Sequence, residues 1–275
     1  MLSVRRGQAA LFVSDMHLAD AQPRTGRFFL ETFLREAQAV SHVFVLGDAF
    51  DAWVGDDQIS ALPADGIEAA FIRALAALAQ RGVMVGVMRG NRDFLLQAEA
   101  RPGWCEATGA RLLPDPCRIE IDGTPVLLAH GDALCTDDTE YQAFRARART
   151  EAWQRAFLAQ PLAERQATAR AMRAQSELAK QTRDEAIMDV SPDAVSALMA
   201  QWRCRLLVHG HTHRPAHHRL RVNGEDAQRW VLPDWDAERG RGGMLLARDG
   251  IIGPVGPWPA PAPAPAAMPA DFGGR

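Results

Sequence analysis

The chain is predicted to be an α/β protein, a layered sandwich with a helical insertion. Five short apolar runs lack polar alternation, as strands buried on both faces do. Amphipathic helical stripes separate the first three runs, and one interval between run ends is far longer than the others. The composition permits such a fold. A length of 275 residues suits one large domain or two small ones, and 47% hydrophobic residues suffice for a core.

Each run ends in residues that do chemistry. Residues 9–13 lead into Ser14-Asp15-Met16-His17, and 43–46 into Gly47-Asp48. Residues 83–88 precede Arg89-Gly90-Asn91-Arg92-Asp93, 126–129 precede His130-Gly131-Asp132, and 206–208 precede His209-Gly210-His211-Thr212-His213. The segment 25–40 places Phe28, Phe29, Phe33, Leu34 and Ala37 on one helical face; 66–80 does so with Ile67, Ala70, Phe71, Ala74, Leu75 and Leu78. Strands alternating with helices imply βαβ units, whose ligands bind beyond the carboxyl ends of the strands. Asp15, His17, Asp48, Asn91, His130, His211 and His213 all stand at such ends.

From Asp15 to Asp48 is 33 residues, to Asn91 a further 43, to His130 a further 39, and to His211 a further 81. The excess falls in 137–189, rich in Ala, Gln, Glu and Arg, which reads as two or three helices. Between 141 and 183 stand nine basic residues against three acidic ones. That surplus fits either a solvated hairpin with i,i+4 pairs or a cap carrying positive charge for an anionic substrate. Seven prolines within 253–275 predict an extended, largely disordered tail outside the catalytic unit.

Several functions are disfavoured. A net charge of −3 argues against a general nucleic-acid binder. Cys105, Cys117, Cys135 and Cys204 form no CxxC pair, which speaks against a zinc ribbon or a disulfide framework. No stretch reaches the roughly 18 apolar residues of a membrane-spanning helix. The apolar run at 9–13 is shorter than a secretory core of about 7–15 residues, so the expectation is a cytosolic protein with reduced thiols.

Seven nitrogen and oxygen donors exceed the needs of one four-coordinate zinc. They suit two ions sharing a carboxylate, roughly 3.5–4 Å apart, as in hydrolases of phosphate esters. Without a cysteine among them, Mn²⁺, Fe²⁺, Zn²⁺ or Co²⁺ would be accommodated.

The ordered set Asp-x-His, Gly-Asp, Gly-Asn-Arg-Asp, His-Gly-Asp and Gly-His-x-His resembles the calcineurin-like metallophosphoesterase superfamily. Longer stretches narrow the resemblance: Gly47-Asp48-Ala49-Phe50-Asp51-Ala52-Trp53, His130-Gly131-Asp132-Ala133-Leu134-Cys135-Thr136-Asp137-Asp138, Ile187-Met188-Asp189-Val190 and His209-Gly210-His211-Thr212-His213-Arg214-Pro215. Over about residues 9–250 the chain resembles the UDP-2,3-diacylglucosamine diphosphatase family of the Gram-negative lipid A pathway.

That resemblance implies a core of residues 1–135 and 191–252 and a helical cap over 136–190; the Pro/Ala-rich tail over 253–275 lies outside it. The resemblance implies a first metal held by Asp15, His17, Asp48 and His213, and a second by Asp48, Asn91, His130 and His211, with manganese the usual ion. Catalytic roles are implied for Asp48, Asn91 and Arg92, the last a cationic fork on the phosphate rather than a surface partner of Asp93. Asn91, Arg92, Asp138, Ser176, Lys180, Arg183 and His211 match substrate contacts, although Lys180 and Arg183 depart from the family's Asn and Lys. The implied reaction is hydrolysis of UDP-2,3-diacylglucosamine to UMP and 2,3-diacylglucosamine 1-phosphate. The cap would hold acyl chains in an apolar groove, while most of Tyr141, Phe144, Trp153, Phe157, Leu158, Leu162 and Met172 are expected to pack its helices together. The protein is expected on the cytoplasmic face of the inner membrane, attracted by its anionic surface. His209 is expected to hydrogen-bond a ligand, and His217 and His218 to lie at a surface turn. Two alternatives use the same fold: a phosphodiesterase for a soluble nucleotide or nucleotide sugar, and a non-catalytic scaffold like the retromer subunit.

Overall fold

The computed structural model describes residues 2–98, 103–180 and 189–269, with the backbone alone for 176–180. The helical stripes form α1 (Pro23–Glu36) and α2 (Ile67–Gln80). They alternate with β2 (Ala9–Val13), β3 (His42–Leu46) and β4 (Met84–Met88), which pair in parallel as βαβ units must. A short α3 (Trp104–Thr108) leads to β5 (Arg111–Leu113), parallel to β4. On the other flank of β2, β11 (Met244–Arg248), β12 (Ile251–Val255) and β13 (Ala266–Ala267) add antiparallel strands, completing a seven-stranded sheet.

The fourth and fifth apolar runs belong to a second sheet. There β7 (Thr124–Ala129) and β8 (Leu206–His209) are parallel neighbours. Beside β7 lie β6 (Cys117–Ile121) and β1 (Ser3–Val4); beside β8 lie β10 (Glu225–Val231) and β9 (Ala216–Val222). The site is therefore assembled from two sheets whose strands end at a common edge.

Alternate side chains of one strand serve different layers. Leu11 and Val13 of β2 pack with α1 and α2, whereas Ala10 and Phe12 face the second sheet. Phe44, Met88, Val126, Val208 and Trp230 fill the space between the sheets. The helix α7 (Pro192–Trp202) covers the outer face of the second sheet through Val195 and Met199.

Between β7 and α7 the chain forms α4 (Thr139–Ala148), α5 (Glu151–Leu158) and α6 (Leu162–Lys180). A small cluster of Phe157, Trp153, Leu158 and Leu162 packs on Val54, Leu95 and Phe94. Arginines tie the same helices down. Arg145 and Arg149 reach Asp132, Arg165 pairs with Asp57 and donates to the Val54 carbonyl, and Arg173 pairs with Asp51. Much of the basic surplus thus meets acidic loops of the core.

The expected disordered tail begins too early at 253. Gly253–Val255 complete β12, Ala266 and Ala267 pair with it, and Trp258, Ala266 and Met268 pack against the core between the sheets. Proline without a backbone donor is tolerated at a sheet edge, where no ladder bond is lost.

Candidate metal centre

The turns after the five strands are tight. Asp15, His17, Asp48, His211 and His213 all adopt φ between 46 and 69°. This left-handed region costs a residue with a side chain about 1–2 kcal/mol, and such strain gathers at functional sites. The glycines of the motifs make room for neighbouring carboxylates. A Cβ on Gly90 would stand 2.1 Å from Asp48 Oδ1, and one on Gly210 would stand 2.2 Å from Asp15 Oδ2.

The loops are also bonded to one another. Asp93, fully buried, accepts the backbone amides of Gly90 (2.6 Å), Ala49 (2.8 Å) and Asp48 (3.3 Å). Asp15 Oδ2 accepts from the His211 amide at 2.9 Å, and the Gly210 amide reaches the His130 carbonyl at 2.9 Å.

Seven sequence-predicted donors are brought together. His17 Nε2 and His213 Nε2 stand 3.2 Å apart, and His213 Nε2 is 3.4 Å from Asp15 Oδ1. Asn91 Oδ1 lies 3.0 Å from His130 Nε2 and 2.9 Å from His211 Nδ1. Asp48 stands between the two groups, with Oδ2 3.9 Å from His17 Nε2 and Oδ1 3.6 Å from His130 Nε2. His130 Nδ1 donates to the Leu46 carbonyl at 2.9 Å, which orients the ring so that Nε2 faces the oxygens of Asp48 and Asn91, where a metal ion would take its lone pair in place of a proton. His213 Nδ1 faces Asp234 Oδ2 at 3.5 Å, and Asp234 in turn accepts from Arg241 at 2.5 Å.

The donors fit divalent cations. Asp15 is fully buried, and among the described residues its Oδ1 makes no hydrogen bond, with only the long ion-pair contact to His213 Nε2 at 3.4 Å beside it, a costly state that a cation relieves. Burial pushes the Asp48 carboxyl up to about 7, helped by the charges of Asp93 and Asp15. Burial and the His130 charge push His211 down to about 3. Burial opposes protonation of His130, yet Asp48, Asp132 and Asp15 together hold it up at about 9. Metal ions compete with protons for such groups.

A cavity of about 580 Å³ opens from this cluster. His17, Asp48, Asn91, Arg92, His211 and His213 line one end; Phe94, Phe144, Trp153, Phe157 and Met172 line the other, under the cap. Tyr141 and Asp138 also line it, Asp138 capping α4 by accepting the Tyr141 amide at 3.1 Å. Leu158 and Leu162 pack within the cap cluster. The side chains of Ser176 and Lys180 lie outside the described residues, as does all of Arg183.

Other expectations shift. Among the described residues His209 hydrogen-bonds to no donor side chain of the cluster; its Nδ1 donates to the Gly210 carbonyl at 2.9 Å and Arg229 lies 3.4 Å from Nε2. His217 and His218 lie within β9, and His217 stacks on Trp230 with ring centres 4.1 Å apart. Asp234 and Tyr141 went unassigned as polar groups of the site. Asp234 follows β10, a strand end that the apolar-run criterion missed because Glu225–Val231 is polar on one face.

The chain matches the calcineurin-like phosphoesterase family over residues 10–215. It is 49% identical over 242 residues to a protein of Chromobacterium violaceum named UDP-2,3-diacylglucosamine hydrolase, covering 88% of this chain and 95% of that one. A Bordetella pertussis protein of the same name is 46% identical over 242 residues, covering 86% of this chain and 91% of that one. A solved phosphoesterase from E. coli is more distant, at 13% identity and a TM-score of 0.46, covering 95% of this chain and all of that one. This chain belongs to the calcineurin-like phosphoesterase family, and its cluster of aspartates and histidines is a site for divalent metal.

Proposed function

We propose that this chain hydrolyses the pyrophosphate of UDP-2,3-diacylglucosamine. Water attacks the α-phosphorus, the bond to the bridging oxygen breaks, and UMP and 2,3-diacylglucosamine 1-phosphate are released. The observation that carries this reading is the continuity of one cavity from the donor cluster to the apolar underside of the cap. One end suits a pyrophosphate and the other suits acyl chains, at about 0.8 kcal/mol for each buried CH₂. The names of the relatives support the same substrate.

Asp15, His17, Asp48 and His213 would hold one ion, and Asp48, Asn91, His130 and His211 a second. Two bound divalent ions, manganese being our first choice, supply Lewis acidity that makes water nucleophilic near neutral pH and offsets charge on phosphoryl oxygens. Asp48 presents one oxygen to each half, the arrangement a shared carboxylate requires. Arg92, on the cavity wall beside Asn91, offers a planar fork to phosphoryl oxygens. Asp93 is committed to three backbone amides, which favours this role over an Arg92–Asp93 ion pair. The cap side chains exclude water from the lipid end, while Asp138, Ser176, Lys180 and Arg183 would contact the head group.

Among the described residues no helix is long and apolar enough to cross a membrane. We place the protein on the cytoplasmic face of the inner membrane, where a diacylated substrate resides and an anionic surface attracts arginines. The test is UMP release from UDP-2,3-diacylglucosamine by Mn²⁺-loaded protein in detergent, beside UDP-N-acetylglucosamine and a chelator control. Release from the diacylated compound alone, lost with chelator, is expected. Equal turnover of the unacylated nucleotide sugar would overturn the lipid assignment.

A further inference from the structure

One buried carboxylate joins the cap to the loops of the candidate centre. Asp132 is fully buried and follows His130 by two residues. Its Oδ2 accepts from Tyr141 Oη at 2.5 Å, Arg145 Nε at 2.8 Å and Arg149 Nη2 at 3.5 Å. Its carbonyl accepts from Gln142 Nε2 at 2.8 Å. All four donors lie on α4 or at its C-cap.

Two of those donors continue onto other loops. Arg149 also donates to the Gly90 carbonyl at 2.9 Å, next to Asn91, and its guanidinium lies 5.6 Å from the centre of the Phe94 ring. The Tyr141 ring stacks near His211, with centres 6.1 Å apart and planes 28° from parallel. Asp132 itself belongs to the His130 loop. One helix therefore meets all three loops that bear Asn91, His130 and His211, and Asp132 is their common acceptor. The ties made by Arg165 and Arg173 reach Asp57 and Asp51 instead.

We infer that Asp132 is a positioning residue: it sets α4 against Asn91, His130 and His211, so that a substrate seated under the cap is presented to that half of the centre. The kinetic consequence rests on the function proposed above; the structural one does not. Asp132→Asn keeps the shape but removes the buried charge that gathers two half-buried guanidinium groups, leaving, among the described residues, Arg145 only the longer contact to Asp115 at 3.9 Å and Arg149 the Gly90 carbonyl. The cap should then loosen while the strands stay intact.

The experiment compares wild type, Asp132→Asn and Arg145→Gln by hydrogen exchange, bound Mn²⁺ and turnover of two substrates. One substrate is UDP-2,3-diacylglucosamine; the other is bis(p-nitrophenyl) phosphate, a diester too small to span the cavity. Exchange over 139–158 should rise about tenfold or more, with β2, β3, β7 and β8 unchanged. Metal content should hold; kcat/KM should fall about 10- to 100-fold on the lipid and within about twofold on the diester. The two substitutions combined should lose less than the product of their separate losses. Unchanged exchange in α4, loss of metal, or equal loss on both substrates would each overturn the inference. Should the wild type leave the lipid intact, the proposed function fails, and the exchange and metal measurements still decide the role of Asp132.

Discussion

Asp48 touches both halves of the donor cluster, whereas Arg92 donates its backbone amide to it, at 2.8 Å from Asp48 Oδ1. Their substitutions should therefore differ. Asp48→Ala should lower the stoichiometry of bound divalent metal and abolish turnover. Arg92→Ala should bind the full metal complement yet lower kcat by about 10²- to 10³-fold, as losing a transition-state donor does. Metal analysis beside steady-state kinetics separates the two, and equal metal loss would make Arg92 structural. At this scale the seven donors were legible because each follows an apolar run directly. Asp132, in the same His-Gly-Asp motif, was not, because its partners are side chains of α4 that no spacing relates to it. Asp93, set aside as an ion-pair partner of Arg92, was given no role of its own. Its carboxylate turns inward to the adjacent amides of Asp48 and Ala49, 45 and 44 residues away in sequence.

Helices are placed by how their charges meet the core. The basic surplus of the cap left open a solvated hairpin or an anion-binding lid; the structure adds docking on Asp132, Asp57 and Asp51. Arg165 is only 2% exposed, so its role is internal. A second helix carries a pH dependence. Glu68, in the first turn of α2, has its carboxyl pushed up to about 7 by burial and by the Asp20 charge. A carboxyl raised in the folded state binds protons that the unfolded chain has released, so Glu68 costs stability above its folded value. That cost fades as pH falls toward the ordinary glutamate value. Glu68→Gln should raise Tm by about 2–4 °C at pH 8 and leave it unchanged near pH 4. Thermal melts across that range check it, and a gain that grows on acidification would refute the assignment.

The whole molecule depends on two sheets closing over one core. Trp258 and Met268, in the proline-rich segment, pack against that core, and Ala266 and Ala267 extend the seven-stranded sheet. Removing residues 257–275 should lower Tm by about 4–8 °C, the effect of losing roughly 2 kcal/mol in a chain of this size. A disordered tail would leave Tm unchanged, and differential scanning calorimetry distinguishes the outcomes. Sequence alone determined the α/β class, the helices α1 and α2, the inserted cap helices and the identity of the donor cluster. These are local signals: apolar runs, a helical period, and chemistry at the strand ends. Only the tertiary structure decided that the five runs divide between two sheets, that the cap arginines seek core carboxylates, and that the proline-rich segment packs. Each of those rests on contacts between distant segments, where the energy comes from shared burial and paired charge that no local pattern encodes.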